Sequence, residues 1–272
     1  MSYYRRPWGL YLFAALVYLF LFAPLFTVVI NSFNANKSLV GWGGFTLHWF
    51  HEAWTNEFVV EGAKNSLFIA AVVTGISAIL GTSASLALQR SRRWTRAMID
   101  GTTYARIIIP ELVLALALLI FLSRIGFPRG LESIIIGHVV FNSAYVTVIV
   151  SARMAARDPS TDEAARDLGA TPFRAFWRVT LPEIMPGVVT GSLLAFTFSL
   201  ENVVTSYFLS GSSNTLPLVV LSLIRLSVTP MVNAIGVGLM LVTGLAMILF
   251  LFVNWRWSVG VQKRARLLAD TA

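Results

Sequence analysis

A short polar segment interrupts an apolar stretch near residue 201, and it carries the side chains best suited to binding a solute. Glu201 offers a carboxylate, and Asn202, Thr205 and Ser206 offer dipoles close to it. Burying such groups in hydrocarbon is expensive, so polar residues inside an apolar helix usually mark a pathway or the interior of a bundle. The Glu201 carboxylate could therefore receive a cationic solute, or it could make a hydrogen bond between helices.

A second acidic residue, Glu111, follows Pro110 at the start of another apolar stretch. It could line the inner part of the same pathway. It could equally pair with Arg106 or cap the helix that it begins. The residues alone leave these alternatives open, and Glu111 joins Glu201 as a candidate pathway residue.

No catalytic group of residues is evident elsewhere in the sequence. The chain has no Cys, which excludes disulfides, thiolate metal sites and a cysteine nucleophile. No acidic pair joins its three His residues, His48, His51 and His138, at metal-ligand spacing, so we expect them to be solvated or hydrogen-bonded. The G-x-x-x-x-G-K-S/T motif that cradles ATP phosphates is also missing. We therefore expect no enzyme activity, no metal and no cofactor in this chain.

Membrane-spanning helices must position these residues. Of the 272 residues, 56% are hydrophobic and only 12% are charged, whereas soluble domains have about 25% charged residues. Apolar runs of about 20 residues, the length that crosses a bilayer, predict six spans. These lie near residues 10–30, 67–88, 104–122, 134–152, 188–209 and 232–253. Pro24 need not break the first span, and Gly187 with Gly191 favours close packing at the start of the fifth.

The distribution of charge orients the six predicted spans. An even number of spans puts both termini on one side, and sixteen of the 21 Lys and Arg residues fall on that side. The positive-inside rule therefore places both termini in the cytoplasm. Loops beside anionic lipid account for the net charge of +8, so lipid and not nucleic acid is the expected partner of these charges.

The loop between the fourth and fifth spans, residues 153–187, is predicted to contain two short helices. Ser160 opens a capping box, and Gly169 stands where a helix commonly ends. Thr171, which is followed by proline, begins a second helix as its N-cap. Pro182 is expected to limit the length of that helix.

This loop displays apolar side chains among its charges. Leu168, Phe173 and Trp177 are unusual in a solvated connector, and a DNA-binding helix-turn-helix would not normally lie between two membrane spans. Small residues Ala164 and Ala165 would let another protein approach the first helix closely. The loop is therefore predicted to dock into a groove of a partner protein.

The spacing in this loop resembles the EAA loop of permease subunits of binding-protein-dependent ABC importers. Glu163-Ala164-Ala165 is followed by three residues, Gly169, nine residues and then Val-Thr-Leu-Pro at 179–182. In that family the loop is a coupling helix that docks in a cleft of the ATP-hydrolysing subunit. The resemblance implies this role for Asp162, Glu163, Ala164, Ala165, Leu168, Gly169, Phe173, Leu181 and Pro182.

A wider resemblance covers most of the chain. The stretches "FTLHWFHEAW", "IIIPELVLALALL" and "SLENVVTSYFLSG" are similar to the second permease of spermidine/putrescine-type importers. This implies a type I ABC importer permease fold, one transmembrane domain over residues 1–272, in a bacterial inner membrane. Those permeases often have two acids after the Ser-Leu pair, whereas Glu201 is followed here by Asn202. A polyamine is the implied solute, with an amino-acid-like solute, an opine, a phosphonate or a sugar as alternatives.

The resemblance also implies partners. A second permease would form a heterodimer with this chain and complete the pathway. Two ATP-binding subunits would bind ATP and Mg²⁺, and a periplasmic or surface protein would deliver the solute. The rival interpretation is a secondary transporter that works alone. Such a protein should show inverted repeats with broken spans at matching positions, and the sequence shows no such repeat.

Overall fold

The computed structural model of the chain describes residues 8–38, 40–158, 160–227 and 229–269, with side chains up to Arg256. In these ranges every regular element is a helix, and one isolated bridge joins Asn34 to Phe45. The expected all-helical fold is confirmed. The helices are α1 (Trp8–Ser32), α2 (His48–Thr55), α3 (Glu57–Arg90), α4 (Arg93–Ile108), α5 (Glu111–Arg124), α6 (Leu131–Ala155), α7 (Ser160–Asp167), α8 (Pro172–Ala175), α9 (Leu181–Leu200), α10 (Val204–Leu209), α11 (Leu216–Leu226) and α12 (Pro230–Ala269).

Within the described ranges, the structure contains five single helices that are long and apolar enough to cross a membrane. They are α1, α3, α6, the helix Pro172–Leu200 that includes α9, and α12 up to Arg256. Helices α4 and α5 pass the same test only as a pair, which would make a sixth span. The chain is thus a multi-pass membrane protein with five or six apolar helical spans.

The predicted third span, residues 104–122, is not one straight helix. Helices α4 and α5 meet at an angle of 111°. Ile109 has extended backbone with ψ 129°, as expected for a residue that precedes proline. Pro110 therefore turns the chain sharply, and Glu111 begins a new helix.

The predicted fifth span, residues 188–209, is also interrupted. Helix α9 ends at Leu200 and α10 begins at Val204. The backbone N–H of Ser206 donates to Asn202 Oδ1 at 3.2 Å. A side-chain acceptor for an amide in the first turn of a helix stabilises a new helix start. The expectation of a continuous helix was wrong: α9 ends at Leu200, and the Asn202 side chain accepts a hydrogen bond from the first turn of α10.

The loop between α6 and α9 contains α7, as predicted, but its second helix is not short. Helix α8 continues through a π turn, Phe176–Thr180, directly into α9. In this turn the N–H of Leu181 donates to Phe176 O. The wider π turn shifts the hydrogen-bond register just before Pro182, so the proline is tolerated inside the helix instead of ending it.

Gly169 ends α7 as predicted, in the left-handed conformation with φ +81°. The predicted capping role of Ser160 was wrong, because Ser160 lies inside the helix. Its backbone N–H donates at 2.9 Å to Asp158 Oδ1. A carboxylate at this helix start also lies favourably in the field of the helix dipole.

One compact unit comprises the chain up to Val60 together with Val220–Val242. In it, almost the whole surface of α1 is exposed, and Ser32 is its only buried residue. The segment after α1 is ordered around Trp49, whose indole N–H donates to Asn34 O at 2.7 Å. Phe33 stacks on Phe45 with ring centroids 5.3 Å apart. This aromatic packing gives the segment between α1 and α2 a defined conformation.

The other compact unit comprises Glu61–Val219 and the chain from Thr243 onward. Helices α6 and α9 pack closely in it through two glycines. A Cβ on Gly187 would lie 2.7 Å from Arg153 Cβ, and one on Gly191 would lie 3.2 Å from Val146 Cα. The prediction of close packing from the Gly-x-x-x-Gly pattern is confirmed. The cores of this unit contain Ile69, Val73, Leu122, Ile134 and Leu209 in one cluster and Val146, Val150, Met154, Ile184 and Ala195 in a second.

Candidate functional site

A polar cluster lies around the break between α9 and α10, where it is reached by the first residue of α5. Glu111 Oε1 accepts hydrogen bonds from Asn202 Nδ2 at 2.6 Å and from Thr205 Oγ1 at 2.8 Å. Thr205 is 4% exposed. The structure therefore brings together three of the predicted pathway residues, and the Glu111 carboxylate has two donors inside the bundle.

His138 of α6 links the two sides of the same break. Its Nδ1 lies 2.9 Å from Ser199 Oγ at the end of α9, and its Nε2 lies 3.1 Å from Ser206 Oγ in α10. His138 and Ser206 are both buried. The hydrogen-bonded role expected for His138 is confirmed. Its connection to the break was not predicted, because the contact depends on how α6 packs against α9 and α10.

Glu201 differs from Glu111 in its surroundings. It is the C-cap residue of α9, at the first position of the break. Its residue surface is exposed, and among the described residues its carboxylate makes no hydrogen bond or ion pair. A carboxylate without a fixed partner can accept an amine without first losing an internal contact. Among the described residues, Glu201 is therefore the acidic group of this cluster whose carboxylate has no fixed partner.

Arg106, one of the alternative partners considered for Glu111, instead contacts the ring of Phe141. It is 8% exposed, and its guanidinium carbon lies 3.8 Å from the centre of the Phe141 ring. This is a cation–π contact, and no ion pair joins Arg106 to Glu111. The guanidinium borders a cavity of about 230 Å³ with an otherwise mainly apolar lining. The alternative in which Glu111 pairs with Arg106 is therefore not found, whereas its contacts with Asn202 and Thr205 are.

The predicted docking loop presents an exposed apolar tip, which we call the α7 tip and define as Leu168, Gly169 and Phe173. Leu168 is 89% exposed and Phe173 is 74% exposed. Glu163 and Ala164 are also exposed on α7. Apolar side chains this exposed in the segment between α6 and α9 are typical of a surface that another protein covers.

Asp162 was grouped with the docking residues, but its side chain contacts its own chain. Arg157, just after α6, donates from Nη1 to Asp162 Oδ2 at 2.9 Å and from Nε to the Glu183 carboxylate. The hydrogen bond with Arg157 lowers the pKa of Asp162 below its ordinary value, and the same contact raises the pKa of Arg157. Both groups therefore stay charged at neutral pH. Sequence reasoning missed this cluster because Glu183 lies 26 positions from Arg157.

Comparison with known proteins assigns the chain to a family. A profile of the family described as binding-protein-dependent transport system inner membrane component matches residues 77–266. The putrescine transport system permease protein PotI of Escherichia coli K12 is 38% identical over 242 residues, which cover 85% of each chain. The spermidine/putrescine transport system permease protein PotC of Haemophilus influenzae is 35% identical over 237 residues, 87% of this chain and 92% of that one.

Solved structures share the fold at low sequence identity. A bacterial ABC transporter involved in the import of the acidic polysaccharide alginate matches with a TM-score of 0.71 at 17% identity, over 93% of this chain and 96% of that one. The inward-facing MetNI methionine ABC transporter matches with a TM-score of 0.64 at 17% identity, over 74% and 96%. The chain therefore belongs to the family of binding-protein-dependent transport system inner membrane components and is a multi-pass permease subunit of an ABC importer.

Proposed function

We propose that this permease carries polyamines, with putrescine as the substrate to test first, and that it forms the pathway together with a second, similar permease. The observation that carries the proposal is the 38% identity to a putrescine permease over 85% of the chain. The exposed Glu201 carboxylate supports it, because an ammonium group inside a membrane pathway needs compensating negative charge. Asn202 lies beside Glu201 and adds a polar side chain at the same break.

The energy for transport comes from partner subunits in this proposal. Two ATP-binding subunits hold ATP and Mg²⁺, a periplasmic binding protein delivers the polyamine, and this chain holds no cofactor of its own. Helix α7 is the coupling helix, and the α7 tip enters a cleft of an ATP-binding subunit. Support comes from the exposure of Leu168 and Phe173 and from the match of the family profile across this loop.

The proposal requires both termini and α7 to face the cytoplasm. Single Cys residues in this Cys-free chain test the orientation. Ser160 lies on α7, and Ser38 and Ser212 lie in loops that the predicted topology assigns to the outer side. All three residues are exposed in the structure. In intact spheroplasts, a membrane-impermeant maleimide is expected to label Cys at positions 38 and 212 and to leave Cys at position 160 unlabelled.

Permeabilised membranes are the control for this labelling, because Cys at position 160 should then react as fast as the other two. Labelling of position 160 in intact spheroplasts would contradict the orientation. It would also place α7 on the wrong side of the membrane for contact with ATP-binding subunits.

Transport by the assembled complex tests the substrate. The complex of this chain with its partner permease, ATP-binding subunits and binding protein, reconstituted in proteoliposomes, is expected to accumulate radiolabelled putrescine only when ATP is present. Excess unlabelled spermidine should compete, because it carries the same ammonium groups. Excess glutamate and excess maltose should not compete, because they offer an anion and a neutral solute to the Glu201 carboxylate.

Accumulation of an anionic or neutral solute, without accumulation of putrescine, would refute the polyamine proposal while leaving the importer assignment intact. Putrescine accumulation that needs an ion gradient and not ATP would favour the secondary-transporter alternative. Purification of the chain from its native membrane without an ATP-binding subunit would also favour the secondary-transporter alternative.

A further inference from the structure

A largely covered arginine side chain, that of Arg157, ties three segments of the chain together at the base of α7. Its side chain is 8% exposed. It donates to Asp162 in α7 at 2.9 Å and to the carboxylate of Glu183 in the first turn of α9. Its Nη2 also donates to Thr161 Oγ1 at 3.1 Å. One guanidinium thus holds the end of α6, the start of α7 and the start of α9 in a fixed arrangement.

Two further contacts close this arrangement, which we call the Arg157 cluster: Arg157, Thr161, Asp162, Thr180 and Glu183. Thr180, at the end of the π turn, donates from Oγ1 to Asp162 Oδ1 at 3.0 Å and is 2% exposed. Arg153 of α6 donates from Nε to the backbone oxygen of Glu183 at 3.0 Å. Helix α7 is therefore bound through Asp162 both to the chain that precedes it and to the helix that follows it.

Little else fixes α7 to the rest of the chain. None of its residues, Ser160–Asp167, is buried. Its C-terminal connection is the turn at Gly169, where a Cβ would meet no atom within 4 Å. Exposed ion pairs on a surface contribute little to stability, but the Arg157 side chain is only 8% exposed and has several acceptors. The Arg157 cluster is thus the principal polar attachment of α7.

We propose that Arg157 is a positioning residue for coupling: it makes α7 move as one body with the ends of α6 and α9, so that displacement of α7 reaches the membrane. This inference rests on the proposed role of α7 as the coupling helix. Because the guanidinium is planar and has several donors, it can hold Asp162 and Glu183 at the same time. A Lys at this position has a single ammonium group and cannot reproduce that fork.

The test compares charge-removing variants of the Arg157 cluster in the complete importer. Arg157→Gln and the isosteric Asp162→Asn are expected to lower the putrescine transported per ATP hydrolysed, by at least about fivefold for Arg157→Gln, because each variant removes one partner of the ion pair and releases α7 from its fixed contact. Arg157→Lys should give an intermediate ratio. Arg92→Gln is the matched control, since Arg92 is exposed on the same predicted face and should keep the wild-type ratio.

A distance measurement separates positioning from a general loss of stability. Spin labels on Cys introduced at Ala152 in α6 and at Arg166 in α7, both exposed, report how firmly α7 is held. In the otherwise wild-type complex the distance distribution by pulsed electron spin resonance should be narrow. It should broaden in Arg157→Gln and in Asp162→Asn, and it should stay narrow in Arg92→Gln.

The outcomes distinguish this inference from the function on which it rests. If the wild-type complex does not couple ATP hydrolysis to putrescine uptake, the proposed function fails. If the wild-type complex couples but both variants keep the narrow distribution and the wild-type ratio, the role of Arg157 is refuted. Should Arg157→Gln fail to assemble, Asp162→Asn carries the same comparison, because it keeps side-chain shape and can still accept from Thr180.

Discussion

Putrescine uptake is expected to fall at least about tenfold when Glu201 is replaced by glutamine, because loss of only about 1.4 kcal/mol of interaction changes a binding constant tenfold. Glutamine keeps the length of the side chain and its hydrogen-bonding capacity but removes the negative charge. Glu201 lies at the break after α9, is exposed, and has no fixed partner among the described residues. The lost attraction should therefore appear in transport and not in folding. Initial rates of radiolabelled putrescine uptake into proteoliposomes measure the effect.

A control variant and a measurement of ATP hydrolysis test whether the loss of uptake is specific to the Glu201 charge. Glu132→Gln removes an acidic charge at an exposed position in the first turn of α6, and it should leave uptake unchanged. ATP hydrolysis by the Glu201→Gln complex should still respond to the loaded binding protein, because the α7 tip is unaltered. Wild-type uptake in Glu201→Gln would show that the substrate does not depend on this carboxylate.

Replacement of Leu168 by aspartate is expected to abolish ATP-driven uptake through loss of contact with the ATP-binding subunit. Leu168 is 89% exposed in the isolated chain, so the permease itself should fold and insert normally. In a docked complex the same side chain would be buried, and an unpaired carboxylate there costs several kcal/mol after relaxation. Co-purification of the ATP-binding subunit, together with substrate-stimulated ATP hydrolysis, measures the effect.

Leu168→Met is the matched control for this variant, because it keeps an apolar side chain of similar volume. It should retain most of the uptake. Gly169 is a less informative position: its φ of +81° disfavours any side chain, so a substitution there changes the end of α7 as well as the docking surface. Normal uptake by Leu168→Asp would remove the α7 tip from the proposed interface.

The features that could be predicted from the sequence are those set by local patterns. Apolar runs predicted where the spanning helices lie, although two of the six predicted spans are interrupted. Gly169 predicted the end of α7, and Gly187 with Gly191 predicted close helix packing without indicating that α6 is the partner. Each depends on residues within a few turns of one another. The membrane fold and the site of the exposed loop could therefore be predicted before any contact was known.

The features that could not be predicted depend on contacts between distant residues. Asn202 and Glu111 are 91 positions apart, so neither residue alone indicates that their side chains meet at the break after Leu200. The Arg157 cluster could not be predicted for the same reason, because Arg157 and Glu183 are 26 positions apart. Pro182 was misleading for a different reason: proline usually ends a helix, but here the π turn before it lets the helix continue.

The close packing of α6 against α9 affects how far the C-terminal end of α9 moves when the helix tilts. Because Gly187 and Gly191 bring the two backbones together, sliding α9 along α6 would force close contacts, whereas a tilt of the two helices together would not. Helix α9 has 20 residues and is therefore about 30 Å long, so a tilt of about 8° around Leu181 would move its far end by about 4 Å. Glu201 sits at that far end. A small rotation beside the Arg157 cluster would thus become a displacement of about 4 Å at Glu201, the residue proposed to bind the solute.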